Sequence, residues 1–317
     1  MIGIVGPTAT GKTAVAVCLA ERIGAEVISA DSVAVYRGLD IGAAKPTLEE
    51  RARVRFHLID VVDPDDSFSV ARFKELAEQA LMDIEARGRR PLLVGGTGLY
   101  VRALARGLGL AEVPPNAALR ARLEDEADRD GASALHRQLA DKDAEAARRI
   151  HPNDRVRIVR ALEVIAATGL SLSARHAVDA GARRSRSARL FGLTMAREAL
   201  DRKIDARVDA MVAAGLVDEV RSLLRRGYGP GLRAMGSLGY REIAACLMGE
   251  TRLDDAVALI KKDTRRFARR QMTWFRAEPG VVWLDMSSLT PEQMAAHIAD
   301  NLPAQEHFGP RFWRPGG

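Results

Sequence analysis

The chain has 317 residues, 47% hydrophobic and 28% charged, a composition that excludes a disordered chain and leaves room for two domains or for one with a large insertion. A formal charge of +6 favours a polyanionic partner, nucleic acid among them. Cys18 and Cys246 stand alone, which argues against a disulfide framework or a cysteine metal cluster; with no leader before the first strand and no apolar run near the roughly 18 residues of a membrane span, a cytoplasmic monomer is expected.

The short apolar run Met1 to Val5 predicts a strand, and Lys12 to Ile23 a helix. Between them Gly6-Pro7-Thr8-Ala9-Thr10-Gly11-Lys12-Thr13 matches G-x-x-x-x-G-K-[ST] in the strand-loop-helix setting that the motif requires. Glycines let backbone N–H groups turn around phosphate oxygens, the helix N-terminus adds its dipole, and Lys12 supplies a point charge, so a di- or triphosphate is the expected ligand. Further strands are predicted at Ala25 to Ala30, Phe56 to Val61 and Pro91 to Gly95, and a helix at Ser69 to Ala86. This alternation reads as α/β, a P-loop doubly wound parallel sheet whose ligands gather at the C-terminal strand ends.

Asp31 follows the second strand and faces that crevice, where a carboxylate can bind Mg²⁺ through water, take a proton, or simply cap a turn. The strand Leu92-Leu93-Val94 ends in Gly95-Gly96-Thr97-Gly98 instead of the acidic residue of an ATPase; the glycines would admit a planar group, and the Thr97 hydroxyl can donate, accept or cap the next helix.

From Pro114-Pro115 to about Leu172 the chain turns helical and charged, the pattern of a helical insertion domain. A strand at Ala188 to Thr194 returns to the sheet, and helices follow at Arg197 to Ala214, Leu216 to Arg226, Tyr240 to Met248 and Leu253 to Arg276, with a last strand at Val281 to Leu284. The glycine-rich run Gly227 to Gly239 reads as a flexible loop. The expected domains are residues 1–113 with 186–300 as the core, 114–185 as the insertion, and 301–317 as a loose tail.

These residues resemble the bacterial tRNA dimethylallyltransferases. The likeness rests on the phosphate loop; on Asp31-Ser32 through Tyr36-Arg37-Gly38 to Asp40-Ile41-Gly42 and Lys45-Pro46; on His57-Leu58-Ile59-Asp60; and on Gly95-Gly96-Thr97-Gly98-Leu99-Tyr100. It continues through His151-Pro152-Asn153-Asp154, Arg160-Ala161-Leu162-Glu163, Leu238-Gly239-Tyr240, and Thr264 to Gln271 with Trp274-Phe275-Arg276.

The resemblance implies transfer of a dimethylallyl group from dimethylallyl diphosphate to N6 of the adenosine immediately 3′ of the anticodon of tRNA, with pyrophosphate as the leaving group. Gly6, Pro7, Thr8, Ala9, Thr10, Gly11, Lys12 and Thr13 would hold the diphosphate, with Mg²⁺ on Thr13. Asp31 matches the family's general base, Thr97 a positioning residue, and Arg221 an arginine reaching the diphosphate. The anticodon stem-loop, its target base flipped out, would contact Asp31, Ser32, Val33, Ala34 and Thr97; Arg155, Val156, Arg157, Ile158, Val159 and Arg160; and Gly236, Ser237, Leu238, Gly239, Tyr240 and Arg241. Gly236 stands where many family members carry a base-reading glutamine. Lys261 to Arg276 has seven basic residues and one acidic, and its outer arginines suit phosphate contacts. The alternatives are a free adenine-nucleotide isopentenyltransferase, which has little use for an insertion and a basic helix, and a P-loop kinase or ATPase, which lacks its acidic strand end here.

Overall fold

The computed structural model describes residues 1–107, 113, 116–171 and 188–302. Its sheet has six parallel strands: β1 (Ile2–Val5), β2 (Ala25–Ser29), β3 (Phe56–His57), β4 (Arg90–Gly95), β5 (Arg189–Thr194) and β6 (Val281–Asp285). Their order is β3-β2-β4-β1-β5-β6, with β1 flanked by β4 and β5. The strand expected over Phe56 to Val61 stops after two residues, because Leu58 and Asp60 take φ of 62° and 58° and turn the chain off the ladder.

Neighbouring residues on each strand point to opposite faces, which divides the core in two. Val5, Ile28, Leu93 and Leu190 belong to one cluster, which includes Phe73 and Leu81 of α3 (Val70–Ala86), Tyr100 of α4 (Gly98–Ala105), Val220 of the helix Leu216–Arg225 and Tyr240 of Tyr240–Leu247. Ile4, Val27, Leu92 and Phe191 belong to the other, with Val15 and Leu19 of α1 (Lys12–Ile23), Ile204 of Arg197–Ala213 and Ile298 of Pro291–Asp300. The sheet is therefore doubly wound. Helix α1 opens after Gly11 at φ 87° and is closed by Gly24 at φ 64°, conformations in which glycine meets no Cβ penalty. A short α2 (Leu48–Arg53), capped reciprocally by Thr47 and Glu50, was not anticipated from the sequence.

The chain folds as two units, Met1–Arg106 with Arg186–Gly317 forming the first and Gly107–Ser185 the second. The second unit contains α5 (Ala117–Asp130), α6 (Ala132–Lys142), α7 (Ala144–Arg149) and α8 (Arg155–Thr168), closed around Leu123, Leu135, Leu139, Ile158 and Leu162. Glu163 is fully buried there; burial works against its charge, but hydrogen bonds from Arg120, the Asn116 N–H and Arg160 outweigh it and hold its pKa at about 2. In the first unit the remaining helices are α9 (Arg197–Ala213), α10 (Leu216–Arg225), α11 (Tyr240–Leu247), α12 (Leu253–Arg276) and α13 (Pro291–Asp300). The run Gly227 to Gly239 is a chain of turns pinned by fully buried Ala234 and Met235. Of the tail expected over 301–317, residues 303–317 lie outside the described residues, as does the insertion's last stretch, 172–185. Among the described residues no helix is long and apolar enough to cross a membrane.

Candidate active site

The loops leaving β1, β2 and β4 meet at the C-terminal edge of the sheet, where the crossovers leaving the adjacent strands β1 and β4 run in opposite directions. In the phosphate loop Gly6 has φ +136°, and a Cβ there would lie 2.5 Å from the Leu193 carbonyl oxygen, so no other residue fits. Ala9 follows at φ 64°, and the buried Thr10 hydroxyl donates to the Pro7 carbonyl at 2.9 Å. Lys12 Nζ donates to the same carbonyl at 2.6 Å. Burial and, next, the neighbouring Arg207 charge push the Lys12 pKa down to about 7, against a smaller upward pull from Asp31.

Arg207, on α9, donates to Thr8 Oγ1 at 3.3 Å. Burial lowers its pKa while Asp31 pulls the other way. Lys12, Arg207 and Asp31 therefore share one electrostatic field. Past Arg207 a cleft of about 840 Å³ opens, lined by Ala210 and Met211 on the helix side and by Asp40, Ile41 and Lys45 opposite.

Asp31 uses its two oxygens differently. Oδ1 accepts the N–H groups of Val33 at 2.8 Å and Ala34 at 3.2 Å, the turn-capping geometry. Oδ2 has no hydrogen bond among the described residues. Thr97 occupies the N-cap position of α4 without capping it with its side chain. Its Oγ1 instead accepts the Ser32 N–H at 3.1 Å and lies 3.4 Å from Ser32 Oγ, while its own N–H donates to the Ala30 carbonyl at 3.1 Å. The crowding that requires glycine around Thr97 comes from the protein itself: a Cβ at Gly95 would lie 2.2 Å from the Ala30 oxygen, at Gly96 2.2 Å from Gln271 Nε2, and at Gly98 2.1 Å from the Trp274 indole. Gln271, buried on α12, accepts the Thr8 N–H at 2.8 Å and donates to the Gly96 carbonyl at 3.0 Å.

A second hub, half-buried at Glu219 and fully buried at Tyr240, fixes the segment downstream of Asp31. Glu219 of α10 accepts the N–H groups of Asp40 at 3.1 Å and Ile41 at 2.8 Å, and the Tyr240 hydroxyl at 2.7 Å. The Ala43 N–H donates to that hydroxyl at 3.2 Å, and a Cβ on Gly42 would lie 2.5 Å from the Tyr240 ring. Burial, then the Glu219 charge, raises the Tyr240 pKa.

The fold thus brings Gly6 to Thr13, Asp31 to Ala34 and Thr97 to one edge. Arg221 is half-exposed on α10 and paired with Asp218 one helical turn away. Arg207, Gln271 and Glu219 are the site-forming residues that sequence reasoning passed over. Of the other segments matched to tRNA contacts, Tyr240 is fully buried, Gly236 is exposed, Ser237 and Leu238 are half-buried, Gly239 donates its N–H to Glu242, and Arg241 pairs with Glu242 and Asp263. In the second unit Ile158 and Val159 are core, Arg160 is engaged with Glu163 and the Val113 carbonyl, and Arg155 with Asp128; Val156 and Arg157 are exposed.

Comparison with known proteins agrees with this architecture. The family described as IPP transferase matches residues 34–278. A protein of Geobacter metallireducens named tRNA dimethylallyltransferase is 53% identical over 285 residues, covering 90% of this chain and 92% of its own length. A Symbiobacterium thermophilum protein of the same name is 48% identical over 98% of each chain. Among solved structures, a tRNA isopentenylpyrophosphate transferase of Bacillus halodurans is 42% identical with a TM-score of 0.69, covering 94% of both chains. A eukaryotic dimethylallyltransferase described as acting on tRNA is 25% identical with a TM-score of 0.78, covering 96% of this chain and 81% of its own. The chain belongs to the IPP transferase family.

Proposed function

We propose that this enzyme transfers a dimethylallyl group from dimethylallyl diphosphate to N6 of the adenosine immediately 3′ of the anticodon in tRNA, with Asp31 as general base. The observation that carries the reading is the Asp31 carboxylate: one oxygen is anchored by two backbone N–H groups, and the other is open in the same field as Lys12 and Arg207. A positioned carboxylate suits the acceptor, because the exocyclic amine becomes acidic only as its new bond forms. Loop amides, Lys12 and Arg207 bind the diphosphate and favour the charge that grows on it as the allylic C1–O bond breaks. Arg207, whose guanidinium reaches Thr8 of the loop, adds to the charge that Arg221 is expected to bring to the diphosphate. Thr97 holds Ser32 and with it the turn that orients Asp31.

The donor set fits Mg²⁺. Thr13 offers a hydroxyl on the first turn of α1, and among the described residues no group of three or more His, Cys, Asp or Glu competes as a cage, which suits a hard ion held largely by diphosphate oxygens and water. Bound there, it would neutralise leaving-group charge. The tRNA contacts we assign are Ser32 to Ala34, the exposed Val156 and Arg157, and the turn Gly236 to Gly239, with Arg241 beside it.

Transfer of labelled dimethylallyl to unmodified tRNA, with AMP as a second acceptor, tests the reading. Asp31→Asn should lower kcat on tRNA by roughly 10³-fold. Pyrophosphate binding should persist or tighten, since an anion is removed beside Lys12 and Arg207. An Asn variant at the wild-type rate, or label on AMP alone, overturns it.

A further inference from the structure

The diphosphate loop and the acceptor loop are joined by one continuous hydrogen-bonded path. It runs from the Thr8 N–H to Gln271 Oε1, from Gln271 Nε2 to the Gly96 carbonyl, through the Gly96–Thr97 peptide, and from Thr97 Oγ1 to the Ser32 N–H beside Asp31. Each side of that peptide is held: the carbonyl by Gln271, and the Thr97 N–H by the Ala30 carbonyl at 3.1 Å. Thr8 is likewise held twice, its N–H by Gln271 and its hydroxyl by Arg207. Both polar atoms of the Gln271 amide are used, its side chain is buried, and the space it fills is the space a Gly96 side chain would need. A buried amide satisfied on both sides is rigid, because letting go of either partner leaves an unpaired polar group.

We infer that Gln271 is a positioning residue that sets the separation between the diphosphate and the acceptor nitrogen, and so decides whether the ionising allyl group meets N6 or water. The inference rests on the transfer reaction proposed above. In productive turnover the C1–O bond breaks, pyrophosphate leaves with the electron pair, N6 bonds to C1 and its proton goes to Asp31. With the two halves displaced, a water oxygen bonds to C1 instead, its proton passes to Asp31 or solvent, and the products are dimethylallyl alcohol and pyrophosphate. A displacement of about 1 Å is enough to cost roughly 100-fold in transfer, whereas ionisation depends on the phosphate half alone.

The test counts prenylated tRNA and dimethylallyl alcohol from the same reactions for wild type, Gln271→Met and Gln271→Glu, with pyrophosphate and tRNA affinities measured separately. Gln271→Met removes both hydrogen bonds; Gln271→Glu keeps the acceptor for Thr8 and sets a carboxylate against the Gly96 carbonyl. Gly96→Ala attacks the same contact from the other partner and covers the case in which a Gln271 variant does not fold. We expect kcat for transfer to fall by roughly 30- to 100-fold, tRNA affinity to hold, and the ratio of alcohol to prenylated tRNA to rise at least about tenfold. A folded variant whose product ratio equals that of wild type overturns the inference, whether or not its rate falls, since a purely structural role would slow both outcomes together. Failure of the underlying reaction has a different signature: the wild-type protein would release alcohol or label no tRNA at all.

Discussion

In the phosphate loop, shape comes from the backbone: Gly6 at φ +136° lies against the Leu193 carbonyl, Ala9 and Gly11 are left-handed, and Lys12 folds back on the Pro7 oxygen. Across from it, Asp31, Ser32 and Thr97 are set by side-chain to main-chain hydrogen bonds, and the segment after them by the Glu219–Tyr240 hub. A backbone-built half tolerates almost no change at its glycines but is indifferent to many side chains. The half built from side chains is sensitive at those side chains as well as at its own glycines, Gly95, Gly96 and Gly98, and its side-chain failures should be graded instead of total.

The sharpest way to separate the two is Gly6→Ala. Its Cβ would enter the Leu193 carbonyl in a conformation L-residues rarely adopt, so pyrophosphate affinity should drop by roughly 100-fold, about 2.7 kcal/mol, by calorimetry, while tRNA affinity stays put. Parallel loss of both affinities would mean that the halves are not independent. Next in size, Tyr240→Phe removes one donor to Glu219 and the acceptor of the Ala43 N–H. It should cost about 1–2 kcal/mol in a denaturant titration and leave pyrophosphate affinity intact; an unchanged midpoint would show that water replaces the hydroxyl without loss.

The smallest effect concerns pH. Lys12 in the free protein carries its charge below about 7 and loses it above, because burial and Arg207 disfavour the ammonium. Between pH 6 and 9 a growing share of pyrophosphate binding must therefore take up a proton, and wild-type affinity should fall with rising pH relative to Lys12→Met, by less than about tenfold per unit. Identical slopes for the two proteins would place the Lys12 pKa outside this window.

The same contrast explains what the sequence made legible. The loop from Gly6 to Thr13 could be read because a motif encodes local backbone geometry, and Asp31 because the end of a parallel strand has a known direction. Its reading as a cap is met by Oδ1, which accepts two backbone N–H groups, while Oδ2 has no hydrogen bond among the described residues. Arg207 was missed because Asp-Ala-Arg-Val-Asp looks like any solvated helical stretch, and its contact with Thr8 spans 199 positions. Gln271 sits inside a motif dominated by arginines, and Tyr240, in a segment matched to tRNA contacts, has its ring in the core. The β3 strand was overdrawn because apolar character persists after Leu58 while the backbone has already turned. Long-range contacts and positive φ at ordinary residues leave little trace in spacing.

The contact between Thr8 and Gln271 also carries a consequence for how the molecule is made. The phosphate loop leaves the ribosome well ahead of the glutamine that holds it, which lies 263 positions later. At about 5–20 residues per second, the loop spends tens of seconds without its brace. A nascent chain ending before α12 would carry the phosphate-loop motif without the glutamine that braces it.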